Sequence, residues 1–194
     1  MRNKALKIIF IVIVVLLSGF ATLTQINFLD YQKPVRFKDI DQVTLNDFKG
    51  LEFFQKSLYG NKSFAYIKTS IDYEFKDDSL RIESFFHPSS SYVYNKKAYS
   101  KELLTHEIYH FKITELYTRI AKKRISDLKN VTKNQAEDLI DAIKQEEQNY
   151  QIQYDDDTFH SYVLSEQKKY EKTIDSLLNL HRNFKNPKIY LNEK

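Results

Sequence analysis

Apolar residues run unbroken from Ile8 to Leu17 and continue more weakly from Ser18 to Leu23. Beyond that block the spacing changes. Ala65, Ile67, Thr69, Ile71, Tyr73 and Phe75 alternate with Tyr66, Lys68, Ser70, Asp72, Glu74 and Lys76, the period of a strand with one apolar and one wet face. Asp77-Asp78-Ser79 reads as a turn and Leu80 to Phe86 as the returning strand of a hairpin. Pro88 and three serines end it, and Tyr92-Val93-Tyr94 is a further short extended piece. Upstream, Val35-Arg36-Phe37-Lys38 predicts a linker entering a short strand. Asp47 to Gly50 predicts a turn, and Phe53-Phe54 with Tyr59-Gly60 a packed aromatic corner.

From Ser100 the period lengthens. Ser100 is a good N-cap, Glu102 suits a first turn, and Leu103, Leu104, Phe111, Leu116 and Ile120 give a helix to about Leu128 its apolar surface. Thr132 and Gln135 form a capping box for a helix carrying Ala136, Leu139, Ile140 and Ile143. A last helix, with Tyr162, Val163, Tyr170, Ile174 and Leu177, reaches toward Leu180. The expected fold is therefore α+β. A small antiparallel sheet, its hairpin at about 64–87, packs on a long helix and on further C-terminal helices. The expected divisions are 1–24 N-terminal apolar segment, 25–40 linker, 41–185 folded domain and 186–194 tail.

Charge gives the first block its meaning, because Arg2, Lys4 and Lys7 precede the apolar run. A basic flank stays in the cytoplasm, so the chain beyond about residue 24 is expected on the periplasmic or extracellular face. Residues 6–23 are then a cleaved signal or a membrane anchor. The 194 residues, 42% hydrophobic, suffice for one ordinary core and leave no room for a second domain. The net charge of +4 is spread along the chain without a basic stripe, which argues against a nucleic-acid partner. The absence of cysteine excludes disulfides, thiolate zinc fingers, a cysteine nucleophile and a lipid-modified cysteine. Oligomeric state has no signature here.

The chemistry concentrates in His106-Glu107-Ile108-Tyr109-His110, the HExxH pattern, within the first turns of the Ser100-capped helix. Residues four apart on a helix lie about 40° apart around its axis, so both imidazoles can converge on one ion. Two neutral imidazoles suit Zn²⁺, and Glu107 stands beside them as general base. A catalytic zinc takes three protein ligands. His160 is the expected third, with Asp155, Asp156, Asp157 and a glutamate such as Glu115 or Glu146 as alternatives. Glu115 lies about 140° around the helix from His110, which suits an orienting role better than ligation. His87 and His181 have no partner pattern and read as surface or turn residues. The longer metzincin pattern is absent, because Ile113 and Leu116 occupy its Gly and His places.

Several blocks share an order with one family: Leu45 to Gly50, Ala65 to Phe75, Ser91 to Val93, Glu102 to Arg119 and Tyr154 to His160. In these the chain resembles a bacterial domain-of-unknown-function family of predicted secreted zinc-dependent proteases. The resemblance covers about residues 40–180 and is most specific around HEIYH. The chain departs from that pattern with Tyr109, where the family often has a small residue, and with Ser161, where it often has glycine. A bulky Tyr109 is expected to crowd the cleft.

The expectation is thus a zincin-like metalloprotease domain at 41–185 behind a signal peptide or membrane anchor at 1–24, hydrolysing a peptide or protein substrate with Zn²⁺ held by His106, His110 and His160. Glu107 acts as base, Tyr154 as a second electrophile, and Leu80 to Phe86 as an edge to which substrate adds. The rival readings are a non-catalytic zinc-binding envelope protein and a helical adaptor.

Overall fold

A computed structural model describes residues 2–25, 32–50, 65–93, 100–128 and 130–191, with side chains of the first helix described from 4 to 20. The chain is α+β, a small antiparallel sheet set against helices. Helix α1 spans Arg2–Gln25. Side chains from Ile8 to Leu17 stand exposed all round it. Among the described residues no helix is long and apolar enough to cross a membrane. The corner expected at Phe53-Phe54 and Tyr59-Gly60, and Tyr94, lie outside the described residues.

Strands β3 (Thr69–Lys76) and β4 (Ser79–Phe86) form the expected hairpin, with Thr69 opposite Phe86 and Lys76 opposite Ser79. Asp77 turns it with φ 52°, a conformation Asp tolerates better than most residues. The alternation read as one strand from Ala65 is broken in two. At Lys68 the backbone N–H donates to Ser91 Oγ and the carbonyl accepts from His87 N–H, both at 2.8 Å, which takes the chain out of the ladder. Ala65–Tyr66 becomes β2 and pairs instead with β5 (Tyr92–Val93).

The segments read as linker and tail both send a strand into the sheet. β1 (Val35–Arg36) pairs with Phe86 and Phe85, and β6 (Lys188–Tyr190) pairs with Ser79 to Arg81. These two share the side of β4 away from β3. Leu80 to Phe86 is therefore an interior strand, and the expectation that it offers a free edge is corrected: β3 lies along one side, and on the other β6 takes Ser79 to Arg81 and β1 takes Phe85 and Phe86. Among the described residues β3 pairs with β4 alone, which leaves its other side as an edge.

Helix α2 (Lys101–Ser126) is capped by Ser100 Oγ, which accepts the Leu103 N–H at 3.0 Å. Fifteen of its 26 residues are buried, so it is wrapped on several sides rather than laid on one surface. Phe86, Leu103 and Phe111 join one core with Phe48. Ile71, Leu80 and Ile82 pack with Ala121 and Ile125 of α2 and with Ile140 and Ile143 of helix α3 (Lys133–Thr158). Tyr109, Ile113 and Leu116 meet Ile174 and Leu178 of helix α4 (Leu164–Leu180). α3 opens on the expected Thr132 and Gln135 box. It also runs on through Tyr154 to Thr158, making the aspartate stretch its final turns rather than a connection.

On the side of α2 facing β4 lies a buried ionic seam. Arg119 Nε donates to Glu115 Oε1 and Ser84 Oγ to Glu115 Oε2, each at 2.7 Å. Lys122, 1% exposed, donates to the Asn186 carbonyl at 3.1 Å. A cavity of about 480 Å³ opens over this seam, away from the HExxH residues.

Candidate metal centre

Burying α2 fixes which faces its residues present. His106, His110 and Thr114, four apart, form a stripe toward α3, whose own stripe is Glu147, Gln151 and Asp155. The helices run antiparallel, so the stripes meet as three rungs. His106 Nε2 stands 3.0 Å from Asp155 Oδ1, His110 Nδ1 stands 2.5 Å from Gln151 Oε1, and Thr114 Oγ1 donates to Glu147 Oε1 at 2.8 Å. Gln151 Nε2 also donates to Glu147 Oε1 at 2.7 Å, which orients the amide so that its oxygen faces His110. Nδ1–H of His110 is thereby engaged and its Nε2 turned toward Asp155.

Three atoms then crowd together. His106 Nε2 and His110 Nε2 are 3.1 Å apart, and each is 3.0 Å from Asp155 Oδ1. His160 Nδ1 stands 3.2 Å from the same oxygen. His106, Asp155 and His160 each bring one ligand atom within 4.8 Å of the others, and this largely buried group could hold a metal ion. The chemistry fits one. A ring nitrogen directs its lone pair or proton along one line, so three atoms in a nearly equilateral triangle cannot all bond each other well. They can all aim at a common point, and zinc bonds of about 2.0–2.2 Å would set tetrahedral donors about 3.3–3.6 Å apart. His106 Nδ1 is buried without a hydrogen-bond partner among the described residues, so this ring is held by its stacking on Tyr154 rather than by a contact at its far nitrogen.

Protonation follows the same crowding. Burial pushes His106 down to about 4. At His110 burial also acts downward, but the charge of Asp155 and its hydrogen bond outweigh it and raise the group to about 9. Asp155, despite burial, is held far below the usual carboxylate range, chiefly by His110. Without an ion, one histidine proton offsets the carboxylate; a cation would replace it.

Glu107, 3% exposed, lies one step around α2. Burial raises it to about 7, opposed by nearby His110 and by a hydrogen bond to the Ile67 backbone. A cleft of about 720 Å³ holds Glu107, His110, Asp155 and His160, and its opposite wall is Ala65 through Asp72. The free edge of β3 runs along that wall.

The sequence-predicted residues are thus brought together, with two differences. Asp155 belongs to the cluster as closely as His160 does, while Tyr170 donates to Asp157 on the outside. Tyr154 is not in the cleft. It has no exposed surface, its ring stacks on His106 at 4.6 Å and 18°, and its hydroxyl faces the His106 carbonyl at 3.5 Å. Next to Asp155 in sequence, it is turned about 100° around α3 and so faces the core. Tyr109 is also directed away from the cleft: its hydroxyl donates to Asp175 of α4 at 2.7 Å, so it does not crowd the site. Glu115 belongs to the ionic seam, and Glu146 takes a bidentate Arg124 at the surface. Gln151 and Glu147 were not anticipated; their spacing of four with Asp155 was the available signal.

His160 reaches the cluster from an unusual turn. Phe159, His160 and Ser161 have φ of 47°, 50° and 78°, three left-handed non-glycine residues in a row, each costing on the order of 1–2 kcal/mol. Glycine adopts this conformation without strain, as the serine at 161 does not. No protein-family model, curated protein or solved structure matches the chain.

Proposed function

We propose that this chain is an exported or membrane-anchored zinc-dependent peptidase. The observation that carries the reading is the convergence of His106 Nε2, His110 Nε2 and Asp155 Oδ1 at 3.0–3.1 Å, with Glu107 buried in the same cleft. His106, His110 and Asp155 would hold zinc, and His160 stands beside them. Zinc, when bound, supplies Lewis acidity to a scissile carbonyl and to water.

The chain's own residues do the rest. The side of β3 away from β4 is unpaired among the described residues, and along it an extended peptide adds as a further strand and brings its carbonyl past Glu107. Glu107 takes a proton from the attacking water and delivers it to the leaving amine. A carboxylate poised near neutrality suits both directions of transfer. Tyr154 holds His106 in place by stacking and touches no substrate. The basic flank of α1 and its exposed apolar surface support export, with the catalytic part beyond the membrane.

The test is zinc content and casein or peptide-library cleavage by the full-length chain beside Glu107→Gln. One zinc per chain in both, with cleavage reduced by about 10²–10⁴-fold in the variant, is expected. Absence of stoichiometric zinc in the wild type sinks the reading. The second reading, a non-catalytic zinc protein, draws on the fourth donor, because closed sites are the structural kind. Zinc bound and cleavage unaffected by Glu107→Gln would favour it.

A further inference from the structure

Beside the triangle of His106, His110 and Asp155, His160 lies against Asp155 Oδ1 and groups with His106 and Asp155 as a fourth candidate donor, where a hydrolytic zinc site keeps one position for water or substrate. Taking the peptidase reading as its basis, we propose that His160 is a displaceable donor that closes the site at rest, and that its withdrawal opens the position used in catalysis.

The four donors are not held alike. His106 and His110 belong to the most enclosed helix, with side chains 1% and 11% exposed. Asp155 sits on the last turns of α3 and meets both of them. The side chain of His160 is 33% exposed, close to the 30% of Asp155, but it meets one donor where Asp155 meets three, and its 3.2 Å separation from Asp155 Oδ1 is the longest of these contacts. Its backbone is the strained one. In the left-handed run from Phe159 to Ser161 the middle residue is tied to α3, His160 N–H donating to the Asp155 carbonyl at 3.1 Å, and the turn is closed by Tyr162 N–H on the Phe159 carbonyl at 3.2 Å and Val163 N–H on the Thr158 carbonyl at 2.9 Å. A rotation within this run relieves its unfavourable dihedrals and withdraws His160 while α3 and α4 stay in place. Strain of this kind persists where surrounding contacts impose it, and here the contact is the cluster itself. The rings of Phe159 and Tyr162, 6.0 Å apart and exposed, ride on the same turn.

The experiment uses Co²⁺ as a spectroscopic ion and azide as a small external ligand, on the full-length chain in mild detergent. Wild type, His160→Ala, His160→Gln and Asp155→Ala are titrated with Co²⁺ and then with azide. Both His160 variants are expected to keep one Co²⁺ per chain with affinity lowered by no more than about tenfold, while Asp155→Ala loses about a hundredfold or more. Azide is expected to alter the visible Co²⁺ spectrum of the His160 variants at concentrations at least about tenfold below those needed for wild type. An equal azide response in wild type and variants overturns the proposal, since His160 then blocks nothing. Loss of Co²⁺ from both His160 variants as complete as from Asp155→Ala overturns it too, making His160 an obligatory ligand and leaving the zinc reading intact. No Co²⁺ binding by wild type defeats the metal reading and this proposal together.

Discussion

Gln151 Oε1 faces Nδ1 of His110 at 2.5 Å across the α2 and α3 interface, the middle of three rungs joining these helices. A donor ring is aimed by its far nitrogen, so the amide sets the direction of His110 Nε2. Gln151→Ala should lower zinc affinity by about 10–100-fold, read by competition with a chromogenic chelator. Affinity unchanged from wild type would remove Gln151 from the site.

Tyr154 tests whether position or chemistry explains its place beside His106. Tyr154→Phe keeps the stacked ring and should retain peptide cleavage within a few-fold. Tyr154→Ala should cost about 3–5 kcal/mol of unfolding free energy, by analogy with other large buried aromatics. A large loss of kcat in the phenylalanine variant, with zinc and stability unchanged, would restore the electrophile role.

Lys122 makes stability depend on pH. Burial lowers its pKa from an ordinary 10.5 to about 8. Between these values the unfolded chain holds more protons than the folded one, so unfolding free energy should rise with pH from about 8 to 10.5, by about 1–3 kcal/mol. Denaturant titrations across this range should show the rise in wild type and a flatter profile in Lys122→Met.

Ser161, at φ 78°, carries a cost that glycine does not. Ser161→Gly should stabilise the folded chain by about 0.5–1 kcal/mol, net of the greater freedom glycine gives the unfolded chain. The urea midpoint is the readout, and a decrease would mean that the turn is not strained there.

What the sequence disclosed was local. The caps at Ser100 and Thr132, the HExxH face and the hairpin turn each depend on residues within a few positions, and all are found. The break at Lys68 depends on Ser91 and His87, and β6 depends on an interior strand more than a hundred residues away; neither leaves a periodic trace. Asp155 was one of three adjacent aspartates, with nothing local to separate them. Only once α3 is known to continue to Thr158 does the spacing of Glu147, Gln151 and Asp155 select one of the three. Tyr154 was misjudged for the same reason, since neighbours in sequence on a helix face different surroundings.

The open side of β3 has a consequence for the chain's dealings with its own copies. Backbone groups ready to accept a foreign strand would equally accept β3 of a second molecule, the usual route to edge-to-edge aggregation. An antiparallel approach centred on Tyr73 would set Asp72 against Glu74 twice over, and both side chains are exposed. Like charges directly opposite oppose pairing. The edge is therefore hospitable to a peptide without acidic residues at those places and repels its twin in that register, so one short alternation serves both selectivity and solubility.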